Sequence, residues 1–170
     1  MPFNTELQPC VCEQPDAETQ DYVFNHTMLR VKDPERSLDF YSRVLGMRLL
    51  RRLDFEEARF SLYFLAMTRG EAVPEDAAER QRYAFGRQSV LELTHNWGTE
   101  SDDSQYHNGN AEPRGFGHIC FSVPDIHAAC ARSSAPEWRG SRASQSRSSR
   151  SCARAMRATS VEAPARFWMN

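Results

Sequence analysis

The chain has 170 residues, 21 Lys+Arg against 23 Asp+Glu and a formal net charge of −2, enough for one domain or two small fused modules. The near-neutral total hides a split, because residues 1–130 carry 13 basic and 21 acidic side chains while residues 131–170 carry 8 Arg against Glu137 and Glu162. No run of 18 apolar residues offers a membrane-spanning helix, the acidic start MPFNTELQPCVCEQPDAETQ lacks the basic and apolar regions of a secretory signal, and five scattered cysteines argue for a reduced, cytoplasmic protein without a disulfide framework.

Residues 1–20 are polar, with Pro2, Pro9 and Pro15, and read as a flexible arm. Tyr22–Val31 is rich in aromatic and β-branched residues and predicts a strand. Asp33 then stands as an N-cap before Pro34, apolar residues Leu38, Tyr41 and Leu45 recur at helical spacing, and Gly46 supplies the C-cap, so Asp33–Gly46 predicts a helix. Met47–Phe55 is a second strand. Arg59–Met67 is a third, with Phe60, Leu62 and Phe64 on one face and Ser61, Tyr63 and Leu65 on the other. The polar excursion Thr68–Arg87 has some helical potential. Ser89–Asn96 is a fourth strand, in which Val90, Glu92 and Thr94 share a face.

This βαβββ unit, residues 21–98, is followed by a Gly/Asn/Asp-rich linker, residues 99–115. A second strand with a leading histidine (Gly117–Val123) and a second helix (Ile126–Ala131) make residues 116–131 a weak echo of the first unit: HTMLRVKDPERSLDFY against HICFSVPDIHAACAR. The fold class is therefore α+β, with paired βαβββ modules of which the second is incomplete. Residues 132–170 do not supply the missing strands. From residue 131 onward the chain holds 9 Ser, 8 Arg and 8 Ala, Val161 is the one branched aliphatic residue, and disorder is the expectation. An Arg/Ser tail could neutralise nucleic-acid phosphates, but the only aromatics within it are Trp138, Phe167 and Trp168. We read it instead as out-of-frame translation beginning shortly after Cys130, because the composition switches abruptly inside a helix whose repeat partner continues.

Three residues on three strands carry the candidate chemistry. His26 lies in the first strand, Glu92 in the middle of the leucine-flanked fourth, and His118 at the head of the fifth. A glutamate in an apolar strand is costly to bury alone, and two histidines with one carboxylate suit a divalent Zn, Ni, Fe or Mn ion. A lone strand histidine, however, is more often simply hydrogen-bonded. His95, His107 and His127 read as loop, surface or core residues, His95 being the one on the leucine-rich face.

The stretches HTMLRVKDPERSLDFYSRVLGM, RFSLYFLA, LELTHNWGTE and YHNGNAEPRGFGHICFSVPD closely resemble glyoxalase I (lactoylglutathione lyase), a family of the vicinal-oxygen-chelate fold built from paired βαβββ modules. The resemblance covers residues 22–130 apart from the excursion. It implies that His26, Glu92 and His118 ligate a divalent metal, and that Arg30, Asn96 and Arg114 bind glutathione. Arginine forks suit its carboxylates. Phe55, Phe60, Leu62 and Phe64 correspond to an apolar pocket for the substrate's R group, though each could equally be ordinary core. The implied reaction isomerises the hemithioacetal of glutathione and methylglyoxal to S-lactoylglutathione through an enediolate, with a carboxylate moving the proton. The arm and the Thr68–Arg87 excursion resemble the larger, zinc-using branch rather than the nickel-using one. The family pattern also implies a homodimer with sites shared between subunits; from the composition, neither a nucleic-acid nor a membrane partner is expected.

One departure is plain. The family's fourth ligand and main base is a glutamate within a motif like Asp-Pro-Asp-Gly-Tyr-Trp-Ile-Glu, and no such motif follows residue 130; the SVEAPAR context of Glu162 does not match. No catalytic base is therefore assigned, Glu92 being the one candidate. Little turnover is expected of these 170 residues. The competing readings are a non-catalytic, truncated metal-binding module and an Fe(II) extradiol dioxygenase, the latter disfavoured by the His26, Glu92, His118 order and the Asn96/Arg114 context.

Overall fold

The computed structural model describes residues 14–102, 106–107 and 109–133, and the main chain of 165–169. Strand β1 is His26–Val31, followed by helix α1, Pro34–Asp39. Asp33 caps α1 as its sequence position predicts, its carboxylate accepting from the Arg36 amide at 3.1 Å. The expected single helix instead relaxes into a π-helical turn over Phe40–Val44. The Leu45 amide reaches back to the Phe40 carbonyl at 3.2 Å and the Met47 amide to Tyr41 at 2.9 Å. Gly46, at φ +77°, takes the left-handed conformation that ends the helix.

Strands β2 (Arg48–Phe55), β3 (Phe60–Ala66) and β4 (Val90–Asn96) complete the module, with α2 (Ala77–Phe85) formed by the polar excursion. The sheet order is β1-β4-β3-β2. β1 runs parallel to β4, and the other pairs are antiparallel. β1 is shorter than expected. Tyr22 and Phe24 lie ahead of it, 76% and 79% exposed, because β4 begins opposite His26 and offers the earlier residues nothing to pair with.

The two faces of this sheet have different covers. On one, Tyr63, Leu65, Leu91 and Leu93 pack beneath Tyr41 and Met47, with Leu29 and Val31 joining from β1. Burial pushes the Tyr41 hydroxyl up to about 12. On the other face, α2 covers one end, where Ala84 packs with Leu50, Phe64, Ala66 and Val90. The Asp76 carboxylate caps α2 by accepting from the Ala78 and Glu79 amides. On the rest of that face, among the described residues, Met28 and Phe55 are exposed while Glu92 and Thr94 are buried.

The second module is represented by β5 (Ile119–Val123), α3 (Ile126–Ser133) and β6 (Ala165–Met169), with β5 and β6 forming a separate antiparallel two-stranded sheet. Ile119 and Phe121 of β5 pack against the α1-side core. Disorder was the expectation for residues 132–170. The five residues ARFWM are the part of that segment richest in strand-forming side chains, and they pair with β5; residues 134–164 lie outside the described residues, as do residues 1–13 of the arm. Among the described residues no helix is long and apolar enough to cross a membrane.

A relay centred on the buried Ser61 links the ends of β2, β3 and β4. The Trp97 indole donates to Ser61 Oγ at 2.9 Å, and Ser61 donates to Asp54 Oδ1 at 2.5 Å, where Arg52 Nε also donates at 2.9 Å. Ser61 and Arg52 together hold the Asp54 carboxyl below the usual carboxylate range. Ser61→Ala leaves the Trp97 N–H without its acceptor, and a loss of about 1–3 kcal/mol is expected in denaturant unfolding at pH 7. Because folding lowers the Asp54 pKa, its contribution is present above the ordinary value of 3.8 and lost as pH falls through the folded value. The gap between wild type and variant should therefore narrow in acid; a gap that widens there contradicts the relay.

Candidate metal centre and substrate face

Register decides which side chains share a face. Met28, Glu92 and Phe64 stand opposite one another across β1, β4 and β3, as do Arg30, Thr94, Leu62 and Leu53 when β2 is included. With the period of two, the face that α2 covers at one end carries His26, Met28 and Arg30 from β1, Glu92 and Asn96 from β4, Phe60, Leu62 and Phe64 from β3, and Phe55 from β2. Every first-module residue singled out in the sequence is thus on one surface.

At its centre His26 Nε2 lies 3.1 Å from Glu92 Oε2. Glu92 is 9% exposed, and its other oxygen accepts from Thr94 Oγ1 at 3.1 Å. The His26 side chain is 38% exposed, with its ring edge-on to Phe64 at 5.7 Å. An ion bound at about 2.0–2.2 Å sets neighbouring ligand atoms about 3.3–3.6 Å apart in tetrahedral and about 2.8–3.1 Å in octahedral geometry, so the pair's 3.1 Å separation suits one shared ion as well as a direct hydrogen bond. The donor set, an imidazole nitrogen beside a largely desolvated carboxylate, fits a divalent metal.

Arg30 Nη1 donates to Asn96 Oδ1 at 2.9 Å, which holds one edge of the guanidinium and aims the rest of its fork over the face. Phe55 stacks on Phe60 with centroids 4.6 Å apart. Sequence reasoning missed Phe85, which reaches this wall from the end of α2 and meets Phe64 edge-on at 5.0 Å. No strand period marks it; its only sequence signal is a lone phenylalanine beside Gly86. Met28 and Leu53 were missed too, although their parity with His26 and Phe55 was visible.

His118 and Arg114 are not brought to this pair. His118 lines a cavity of about 590 Å³ with Arg30, Tyr41, Tyr106 and Phe116, and Arg114 pairs with Glu112 at 2.8 Å on the exposed segment before β5. Among the described residues no group of three or more His, Cys, Asp or Glu side chains is gathered to hold a metal. His95 is buried on the opposite face, its Nε2 2.9 Å from Glu100 Oε1.

Residues 23–143 match the family model described as the Glyoxalase/Bleomycin resistance protein/Dioxygenase superfamily. The chain belongs to that superfamily. This glyoxalase-superfamily chain is 83% identical over 132 residues to a lactoylglutathione lyase of Pseudomonas aeruginosa, covering 78% of this chain and 75% of that protein. It is 58% identical over 125 residues to a lactoylglutathione lyase of Pseudomonas putida, covering 73% and 72% respectively. It is also 56% identical over 108 residues to glyoxalase I of Saccharomyces cerevisiae, covering 63% of this chain and 30% of that protein.

Proposed function

We propose that the chain is a metal-dependent lactoylglutathione lyase, isomerising the hemithioacetal of glutathione and methylglyoxal. The observation that carries this reading is the His26–Glu92 pair at 3.1 Å on the face that also holds Arg30–Asn96 and the phenylalanine wall. The names of the two Pseudomonas relatives support it.

His26 and Glu92 would hold the metal, with His118 contributed by a second copy of the chain, since one copy does not bring it to the pair. When bound, the ion stabilises negative charge developing on two adjacent substrate oxygens. Arg30, steadied by Asn96, takes a glutathione carboxylate; Arg114, exposed ahead of β5, suits the other. Phe55, Phe60, Leu62 and Phe64 enclose the methyl end and keep water from it. Glu92 is the one carboxylate the four strands place on this face, so the proton transfer these residues can perform falls to it. Zinc is favoured over nickel because the excursion that forms α2 is a feature of the larger branch. A glutathione-dependent reaction also suits the cytoplasm, where that thiol is kept reduced.

Calorimetric titration with a glutathione S-hexyl thioether tests the reading. The chain should bind it, and Arg30→Ala should weaken binding by about 1.5–3 kcal/mol, the worth of a charge-assisted hydrogen bond. Equal affinity in both proteins removes Arg30 from the site.

A further inference from the structure

Asn25, immediately ahead of β1, joins two parts of the molecule that are otherwise separate. Its Nδ2 donates to the carbonyl of Ala84 at 3.0 Å and of Arg87 at 2.7 Å, at the C-terminal end of α2. Helix ends leave carbonyls in need of donors, and this one amide supplies two. Both of its N–H groups are thereby used. The amide cannot be turned over, because its oxygen would then face two carbonyl oxygens. Asn25 Oδ1 is therefore fixed toward His26 Nδ1, 2.7 Å away. An oxygen there requires a hydrogen on Nδ1, and Nε2 is the ring atom turned to the Glu92 carboxylate, 3.1 Å away.

The same helix carries Phe85, whose ring meets Phe64, whose ring in turn meets His26. We propose that Asn25 is a positioning residue that couples α2 to the metal site: its oxygen holds the His26 imidazole in the Nδ1–H form with Nε2 toward Glu92, and its amide hydrogens clamp the helix that brings Phe85 to the substrate wall. The coupling rests on the reading of His26 as a metal ligand. A partner on the second ring nitrogen orients and tunes a ligating histidine, and its loss costs about 10–100-fold in metal affinity.

The test uses the full chain and its Asn25→Leu, Asn25→Asp and His26→Ala variants. Three readouts are needed: long-range proton–nitrogen spectra of the metal-free proteins, zinc competition titrations, and hydrogen exchange over residues 77–87. Wild type should show a hydrogen on His26 Nδ1, its signal identified by its loss in His26→Ala. Asn25→Leu should weaken the signal of that Nδ1 hydrogen, bind zinc about 10–100-fold more weakly and exchange faster along α2. Asn25→Asp keeps the acceptor but loses the donors. It should therefore retain the Nδ1–H form and zinc affinity while α2 still exchanges faster, a separation that general unfolding cannot produce. If His26→Ala binds zinc as wild type does, the ligand reading falls and the coupling with it. If His26→Ala loses zinc but Asn25→Leu keeps both its affinity and the Nδ1–H form, the coupling alone is overturned. Unchanged exchange in Asn25→Asp overturns the clamp.

Discussion

Glu92→Leu is expected to raise the melting temperature of the metal-free chain while abolishing zinc binding. Glu92 sits between Leu91 and Leu93, faces Met28 and Phe64 across the sheet, and is 9% exposed. A carboxylate so placed loses hydration that one hydroxyl and one imidazole replace only in part. Leucine has similar reach, suits a strand and removes that cost. The His26 side chain is 38% exposed, so water reaches its Nε2 where it stands when the carboxylate is gone, and no buried charge is orphaned. Replacing buried ionic groups by apolar ones is often neutral or stabilising, here by about 1–2 kcal/mol, which for a chain of this length is about 2–8 °C. Zinc affinity should fall below detection in a chelator competition, because the buried ligand is lost. A variant that melts lower would make Glu92 a structural ion-pair partner. One that still binds zinc tightly would remove it from the metal site.

The second large effect concerns turnover. The 170-residue chain is expected to form S-lactoylglutathione at least about 100-fold more slowly than the Pseudomonas aeruginosa relative, the lower end of what a positioned proton-transfer group contributes. Residues 132–170 contain no Asp-Pro-Asp-Gly-Tyr-Trp-Ile-Glu-like motif, and their strand Ala165–Met169 pairs antiparallel with β5. In the first module, by contrast, the strand that brings Glu92 runs parallel to β1. Replacing residues 132–170 by the corresponding segment of that relative should restore rate and metal affinity together. A native chain already as fast as the relative would show that no downstream glutamate is needed; a fast chimera that binds zinc no better would assign that segment to proton transfer alone. The DNA sequence around codons 128–136 bears on the same point, since a single-base slip there would reveal a β-rich continuation in another frame.

The first module was legible because its chemistry is written in periods. Alternation in RFSLYFLA and VLELTH gave β3 and β4 to within a residue, and put Phe60, Leu62, Phe64 and Glu92 on defined faces. Asp33 and Pro34 marked the start of α1, and Gly46 the end of the π-helical turn that continues it. The π turn was not legible, because Phe40–Val44 has the apolar spacing of an ordinary helix and the extra residue is absorbed only when Tyr41 packs into the core. Asn25 and Phe85 escaped for a related reason. Asn25 acts through contacts about 60 positions away and Phe85 through one 21 positions away, both visible only once α2 is laid across the sheet. His118 was readable as a candidate ligand, but a linear pattern does not say whether the fold brings it to His26 and Glu92, and within one chain it does not.

The parallel pairing of β1 with β4 bears on the order of events during synthesis. Arg30 and Asn96 meet across 66 positions, and His26 finds Glu92 through that same pairing. β2 and β3 form a hairpin and β4 adds to it from nearby, whereas β1 must wait for β4 and then close a long loop. An emerging chain therefore exposes His26 well before Glu92 exists to face it. On the proposed reading of the pair as metal ligands, the site is assembled only when the last strand of the module docks, and the capacity to capture an ion would mark the completion of the sheet.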